Sequence, residues 1–451
     1  MGGRPAGAPQ GGTPGRGARS RRLVRAPGPG APTRASRYTG WVPPTPLDSP
    51  ATVIVGMSGG VDSAVAALSL RDAGYEVQGL FMSNWEDDGY CNAAADYQDA
   101  RRVCDLLKIP LHRVSFVEEY RERVFAHFLR EYAANRTPNP DVLCNREIKF
   151  GVCLDYMQRL GADLIATGHY ARLLDDGGQI HLLKGADASK DQSYFLHAVS
   201  PAALAKTLFP IGDMRKEDVR RLAHASGLPV YDKPDSTGIC FIGERPFREF
   251  LSRYLSTHAG PIETDSGKVV GEHRGLALYT LGQRAGLEIG GRAGSHAAPW
   301  YVADKDPTRN ALIVVQNPNH PLLMSDRFEV EDVHWLDRAA EQLAIVECAV
   351  KTRYRQSDLA CTLRRHGADW QVDLRQATRA VTPGQYAVFY RGERCLGGGI
   401  ISRRFNMSAF SGVAETAASG GTAALGKGPA PGGASVVCGL NYNERISAEG
   451  S

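Results

Sequence analysis

The stretch TVIVGMSGGVDSAVAALSLRDAG, residues 52–74, decides the fold. TVIVGM (52–57) is a short β-branched apolar run, the composition of a buried strand. AVAALSLRDAG (64–74) has helical apolar spacing and ends on Gly74, a helix stop. Between them lies SGGVDS (58–63). Gly59 and Gly60 let the backbone come close to an anion, and Ser58 and Ser63 add hydroxyls. The N–H groups at the helix start face the same anion. Asp62 is placed to help hold Mg2+. The lysine of an ordinary P-loop is absent, and G-x-x-x-x-G-K-[ST] occurs nowhere in the chain. A Ser/Gly turn that merely caps a helix is the plainer alternative. The order strand, loop, helix favours the phosphate site.

Working outward, EVQGLFMSN (76–84), LHRVSFV (111–117) and DLIATGHY (163–170) read as further strands. Helices are expected at 96–109, about 118–134 and about 146–160. Alternation of this kind predicts an α/β, Rossmann-like parallel sheet with helices on both faces. Its ligands gather at the carboxyl ends of the strands, where SGGVDS, Met82 and TGHY fall. After residue 212 the pattern changes. RKEDVRRLAHASG (215–227) reads as a helix ending at Gly227, and another short helix is expected near 246–255. From 276 onward short alternating runs such as ALIVVQN, RFEVEDVHW and YAVFYRGERC dominate, as in a small β-barrel or sandwich.

The composition, 43% hydrophobic and 23% charged, is that of a globular protein, with no apolar run long enough to span a membrane. Residues 1–47 hold eight arginines and no acid, with much Gly and Pro, and are expected to be disordered. A transit peptide is the alternative; an extension without function is the plainer reading. Residues 405–451 read as a second disordered tail. The net charge of +4 misleads. Residues 1–50 carry eight Arg against Asp48, a surplus of seven, which leaves −3 for the remainder. A nucleic-acid partner must therefore be held by local patches. The nine cysteines include no C-x-x-C pair, so no metal site is expected, and free thiols in a cytoplasmic setting are the default.

Two cysteines stand apart. RTPNPDVLCNREIKF (136–150) puts Asp141 three residues before Cys144, just ahead of an expected helix whose dipole would favour a thiolate. Asp141 is near enough in sequence to move protons in the same site. A buried cysteine beside a capping carboxylate is the alternative. Cys240, in DSTGICFIGE (235–244), has no second cysteine or histidine nearby in sequence.

SGGVDS resembles the PP-loop of the ATP pyrophosphatases, which split ATP between the α- and β-phosphates. The loop alone leaves argininosuccinate, GMP, asparagine and NAD synthetases open beside the RNA-thiolating enzymes. GMSGGVDS, RTPNPDVLCN, ATGHYAR, KDQSYF, DSTGICFIGE, YTLGQR and VKTRYRQ together, in that order, closely resemble the tRNA-specific 2-thiouridylases, the MnmA family. The resemblance runs from about Val53 to about Ile401. It implies a PP-loop catalytic domain (48–212), a small connecting domain carrying Cys240 (213–275) and a C-terminal β-barrel touching tRNA (276–404).

The resemblance also implies the reaction. ATP adenylates the C2 oxygen of the wobble uridine, U34. Sulfur from a cysteine persulfide replaces that oxygen, giving 2-thiouridine, AMP and pyrophosphate. Cys240 would carry the persulfide and Cys144 would act as nucleophile or resolving thiol, closing a Cys144–Cys240 disulfide. Asp141 is the implied acid/base. Gly56, Met57, Ser58, Gly59, Gly60, Val61, Asp62, Ser63, Met82 and Gly168 match the site for ATP with its Mg2+. Asn139, Pro140 and Asp141 would touch the target base. His169, Lys190, Asp191, Gln192, Arg353, Tyr354 and Gln385 match tRNA contacts. The implied partners are tRNAs for Lys, Glu and Gln and a persulfide donor, a cysteine desulfurase or a TusE-like relay protein. Read alone, His169 is equally a structural histidine, KDQ a surface turn, KTRYR a solvated strand face and Met82 core. Two other functions stay open: a small-molecule ATP pyrophosphatase, against which stands the lack of a glutaminase segment, and a tRNA-binding protein without catalysis.

Overall fold

The computed structural model describes residues 51–86, 93–235, 247–289 and 298–407. The expected disordered stretches, 1–47 and nearly all of 405–451, lie outside these residues, as does Cys240.

The first unit is built on β1 (Thr52–Gly56), α1 (Val61–Asp72), β2 (Glu76–Ser83), α2 (Ala93–Leu107), β3 (Leu111–Ser115) and β4 (Leu164–Ala166). A hairpin of β5 (Ala171–Asp176) and β6 (Gln179–Lys184) follows, then β7 (Thr207–Leu208). The sheet order is β3-β2-β1-β4-β7, and every pairing is parallel. Alternation along β1 explains the two-sided burial. Ile54 enters one core with Leu80 and Ile165, while Val53 and Val55 enter another with Val77 and Phe81. α1 is apolar nearly all round, because it lies between the sheet and the helix Lys216–Ala225, whose Val219 and Ala223 share its core.

A second, four-stranded sheet comprises β8 (Gly260–Thr264), β9 (Val269–His273), β10 (Tyr301–Asp306) and β11 (Ala311–Val315) in the order β10-β11-β8-β9. β8 pairs parallel with β11, Ile262 opposite Leu312. The expected boundary at 275/276 therefore falls inside this sheet. A parallel pairing between strands some 50 residues apart leaves no mark in local periodicity.

The third unit is a closed barrel of β12 (Met324–Trp335), β13 (Ile345–Lys351), β14 (Leu359–His366), β15 (Asp369–Arg379), β16 (Tyr386–Arg391) and β17 (Arg394–Phe405). The order is β12-β15-β14-β13-β16-β17, and β17 returns to β12, so no barrel edge stays open. The β5–β6 hairpin does not join the parallel sheet. It extends the barrel sheet through Leu183 opposite Arg394. Among the described residues no helix is long and apolar enough to cross a membrane.

Candidate active site

The phosphate loop leaves β1 at Gly56 and is tied by its own hydroxyls. Ser58 N donates to Ser63 Oγ (3.2 Å), the two hydroxyls lie 3.2 Å apart, and Ser63 Oγ donates to Gly60 O (3.1 Å). Gly59 takes φ +75°, and a Cβ there would lie 2.3 Å from Asp96 O, so only glycine fits. Gly60 is the N-cap of α1 and receives no side-chain cap, which leaves first-turn N–H groups to face an anion. Met57 N is fixed to Leu80 O (2.8 Å), and Val61 opens the helix. Met82 Cε lies 3.8 Å from where a Gly56 Cβ would stand. Gly168 presses so closely on α1 that a Cβ would lie 2.7 Å from Ser63 N. The structure thus brings Gly56 to Ser63, Met82 and Gly168 to one end of the sheet.

Around this loop stand residues that the sequence reading did not single out. Lys216 Nζ bonds both oxygens of Asp62 (2.7 and 2.8 Å), and Tyr170 Oη donates to Asp62 Oδ1 (2.7 Å). Lys233 Nζ donates to Gly59 O (3.0 Å), Asp96 (2.7 Å) and Asp99 (2.6 Å). Lys216 lies 154 residues from Asp62. In sequence it is one cation of an ordinary amphipathic helix, and no local signal marks it. Among the described residues no group of three His, Cys, Asp or Glu side chains could hold a metal ion. Asp62 alone offers a carboxylate at the loop itself, which fits a Mg2+ carried mainly by substrate phosphates.

The second part of the site is the loop 136–144. Asn139 Oδ1 caps a short helix, Pro140–Leu143, by accepting from Asp141 N (3.2 Å), with Pro140 at the first turn. The helix begins before Cys144, not after it. Cys144 sits one turn in and opens a π-helical stretch, Cys144–Val152, so the expected help from a helix N-terminus is weaker than the sequence implied. Cys144 is buried at 2% exposure. Burial raises the Asp141 carboxyl above its ordinary range, and the positive charge of Lys149 partly offsets this.

This loop is gripped from the C-terminal half. Gln385 Nε2 donates to Thr137 O (2.8 Å) and Pro138 O (3.2 Å), and Thr137 N donates to Pro383 O (3.0 Å). Lys305, on β10, donates to Asn135 O (2.9 Å), and burial pulls its ammonium down to about 8. The strand end TGHY joins the two parts. Gly168 touches α1, while His169 packs against Phe150 with ring centroids 6.0 Å apart. His169 is buried, with Nδ1 2.7 Å from Thr167 Oγ1; burial, and then the charge of Lys149, hold its pKa well below the usual value.

The remaining residues matched to tRNA contact are placed as follows. Lys190 pairs with Asp235 (2.6 Å). Asp191 is buried and accepts from Gly185 N (3.0 Å) and Ser193 N (3.1 Å). Gln192 Oε1 accepts from Tyr170 N (2.9 Å), holding TGHY. Arg353 donates to Leu281 O and Ala380 O, both at 2.9 Å. Tyr354 packs on Phe195 at 4.5 Å between centroids. Cys240 lies outside the described residues, but the chain on either side is placed. Asp235 is anchored beside the phosphate loop, and the helix Phe247–Ser252 packs Phe247 on Phe128 and Tyr132, just ahead of loop 136–144.

Three family models match the chain in series: a tRNA methyl transferase HUP domain over residues 51–244, a tRNA methyl transferase PRC-barrel domain over 248–316, and an aminomethyltransferase beta-barrel domain over 325–401. Their borders fall between the three sheets, except that the β5–β6 hairpin, within the first model, joins the barrel sheet. Relatives match over almost their entire length. The tRNA-specific 2-thiouridylase MnmA of Bordetella avium is 56% identical over 367 residues, covering 79% of this chain and 99% of the relative. The tRNA-specific 2-thiouridylases MnmA of Methylococcus capsulatus and Vibrio cholerae are each 55% identical over 359 residues, covering 78% of this chain and 97% and 96% of the relatives. The methyltransferase wording of the domain models and the thiouridylase relatives disagree; full-length identity at this level, with the phosphate loop intact, decides for the latter. The chain therefore belongs to the tRNA-specific 2-thiouridylase (MnmA) family.

Proposed function

We propose that this enzyme, a tRNA sulfurtransferase by family, uses ATP to place sulfur at C2 of the wobble uridine of tRNA. The observation that carries the reading is the contiguity of two chemistries. TGHY abuts the phosphate loop through Gly168, and His169 packs on Phe150 in the helical stretch that Cys144 opens.

A uracil C2 carbonyl is a weak electrophile with a poor leaving group. The uncapped start of α1, with Ser58 and Ser63, binds the phosphates so that the C2 oxygen can be adenylated and later leave as AMP. Asp62 would be the protein ligand for a Mg2+ bound with the phosphates, which would offset their charge. Asn139 and Pro140 flank the base. The terminal sulfur of a Cys240 persulfide attacks C2, forming a C–S bond. Cys144, deprotonated by Asp141, then attacks the Cys240 sulfur. The S–S bond of the adduct breaks, AMP departs, C2 keeps the sulfur, and a Cys144–Cys240 disulfide remains for an external thiol to reduce. Lys190, Gln192 and Tyr354 are assigned to the tRNA side. Asp191, Arg353 and Gln385 act through the backbone segments they hold, and His169 through its packing on Phe150. We further assign the substrates as tRNAs for Lys, Glu and Gln, the donor as a cysteine desulfurase, directly or through a TusE-like relay, and the setting as the cytoplasm.

The test is a thiolation assay with ATP, Mg2+, a persulfide donor and tRNA bearing an unmodified wobble uridine, read by nucleoside mass spectrometry. Thiolated product is expected from the wild type and none from Cys144→Ser or Cys240→Ser. Full product from either variant overturns the two-thiol mechanism. Pyrophosphate release that needs a small metabolite and no RNA would favour the small-molecule alternative.

A further inference from the structure

One carboxylate beside the phosphate loop holds three cations. Asp235 accepts from Lys190 Nζ (2.6 Å), Lys216 Nζ (2.7 Å) and an Arg220 guanidinium nitrogen (2.9 Å). Burial alone would raise this carboxyl, yet the bonds from Lys190 and Lys216 hold it well below its ordinary range. Lys216 is itself buried, and the same ammonium clasps Asp62 inside the loop. Two residues upstream of Asp235, Lys233 bonds the carbonyl of Gly59. Residues 233–235, Lys-Pro-Asp, therefore lie along the phosphate loop, the lysine on its backbone and the aspartate on its cations.

Two lysines and an arginine converging on a point beside a glycine-rich loop form the donor set of a phosphate. A phosphate offers them more charge and more acceptor oxygens than one carboxylate does. We propose that Lys216, with Lys190 and Arg220, binds the pyrophosphate portion of ATP, and that Asp235 occupies this site as an internal phosphate mimic in the nucleotide-free protein. The proposal rests on the reading of SGGVDS as an ATP loop. Binding is then an exchange of acceptors, with no bond made or broken. The polyphosphate takes over the N–H donors that Asp235 and Asp62 accept, and Asp235 is released. Nucleotide affinity and the hold on residues 233–235 oppose each other. This also moves Lys190 from the tRNA side to the phosphate side.

The test is isothermal titration of the full chain with Mg2+–pyrophosphate and with the Mg2+ complex of α,β-methylene-ATP. Asp235→Asn removes the competing charge and should tighten pyrophosphate binding about tenfold, whereas Lys216→Met should weaken it about tenfold or more, the scale of one charge-assisted hydrogen bond. Lys216→Arg, which keeps the charge, should stay within a few-fold of wild type. The opposite signs separate the proposal from simple loss of structure, since a damaged fold does not bind more tightly. If Lys216→Met does not fold, Asp235→Asn and Lys216→Arg decide. Unchanged or weaker binding in Asp235→Asn overturns the proposal alone, provided the wild type binds. A wild type that binds neither ligand overturns the ATP reading of the loop and the proposal with it.

Discussion

Gln385 offers a direct test of how the barrel serves the reaction. Its amide donates to Thr137 O (2.8 Å) and Pro138 O (3.2 Å), just upstream of Asp141 and Cys144. Gln385→Ala removes both bonds. At about 0.5–1.5 kcal/mol net each, the loop loses about 1–3 kcal/mol of its hold. Thr137 N to Pro383 O (3.0 Å) and Lys305 to Asn135 O (2.9 Å) remain, so the loop loosens without leaving its seat. If the full loss appeared in the barrier, kcat would fall by about fivefold to about 150-fold, with KM for tRNA unchanged. Gln385→Glu keeps the shape but sets a carboxylate against two carbonyl oxygens, and should be the worse variant. The assay is initial-rate thiolation at varied tRNA, with thermal unfolding in parallel. A severalfold rise in KM for tRNA at unchanged kcat would refute the positioning role and return Gln385 to direct RNA contact.

Gly168→Ala puts a Cβ 2.7 Å from Ser63 N and 2.8 Å from Asp62 C, backbone that cannot step aside cheaply. An overpacking cost of about 1–3 kcal/mol should raise KM for ATP while gel-shift affinity for tRNA holds. A single turnover without reductant should leave a Cys144–Cys240 disulfide, read as a cross-linked peptide by mass spectrometry; its absence at full product would sink the resolving step. Because burial raises the Asp141 pKa, its active, ionised form is lost at a higher pH than for an ordinary carboxylate. The acid limb of kcat/KM should therefore lie above the usual carboxylate range and vanish in Asp141→Asn. Lys149→Met removes the charge that lowers this pKa and should move the limb further up; a shift downward would contradict the assignment.

Much of the site was legible because its parts are local. Strand, glycine turn and helix within 52–74 fix where the phosphate loop stands, since the backbone angles they need are set by neighbouring residues. The loop 136–144 stood out by Asp141 three residues before Cys144, though the helix there begins at Pro140, ahead of both and not after them, on an Asn139 cap that the sequence reading did not use. The residues least well read were those whose partners are distant. Asp191 and Arg353 look like exposed charges in KDQ and KTRYR, yet both bond backbone inside the fold.

The sequence by itself determined the α/β class, the strand–glycine turn–helix of the phosphate loop, the place of Asp141 and Cys144 on one short segment and the presence of a β-rich second half, because each depends on spacing along a few residues. The tertiary structure alone decided that the middle sheet spans the expected domain border, that the β5–β6 hairpin joins the barrel sheet, and that Lys216 and Lys233 belong to the phosphate loop. It alone showed Gln385 gripping a loop 248 residues away. Such pairings arise only when the chain closes on itself. A cation or amide reads the same in sequence whether it faces water or, across the fold, the carboxylate or carbonyl that gives it a role.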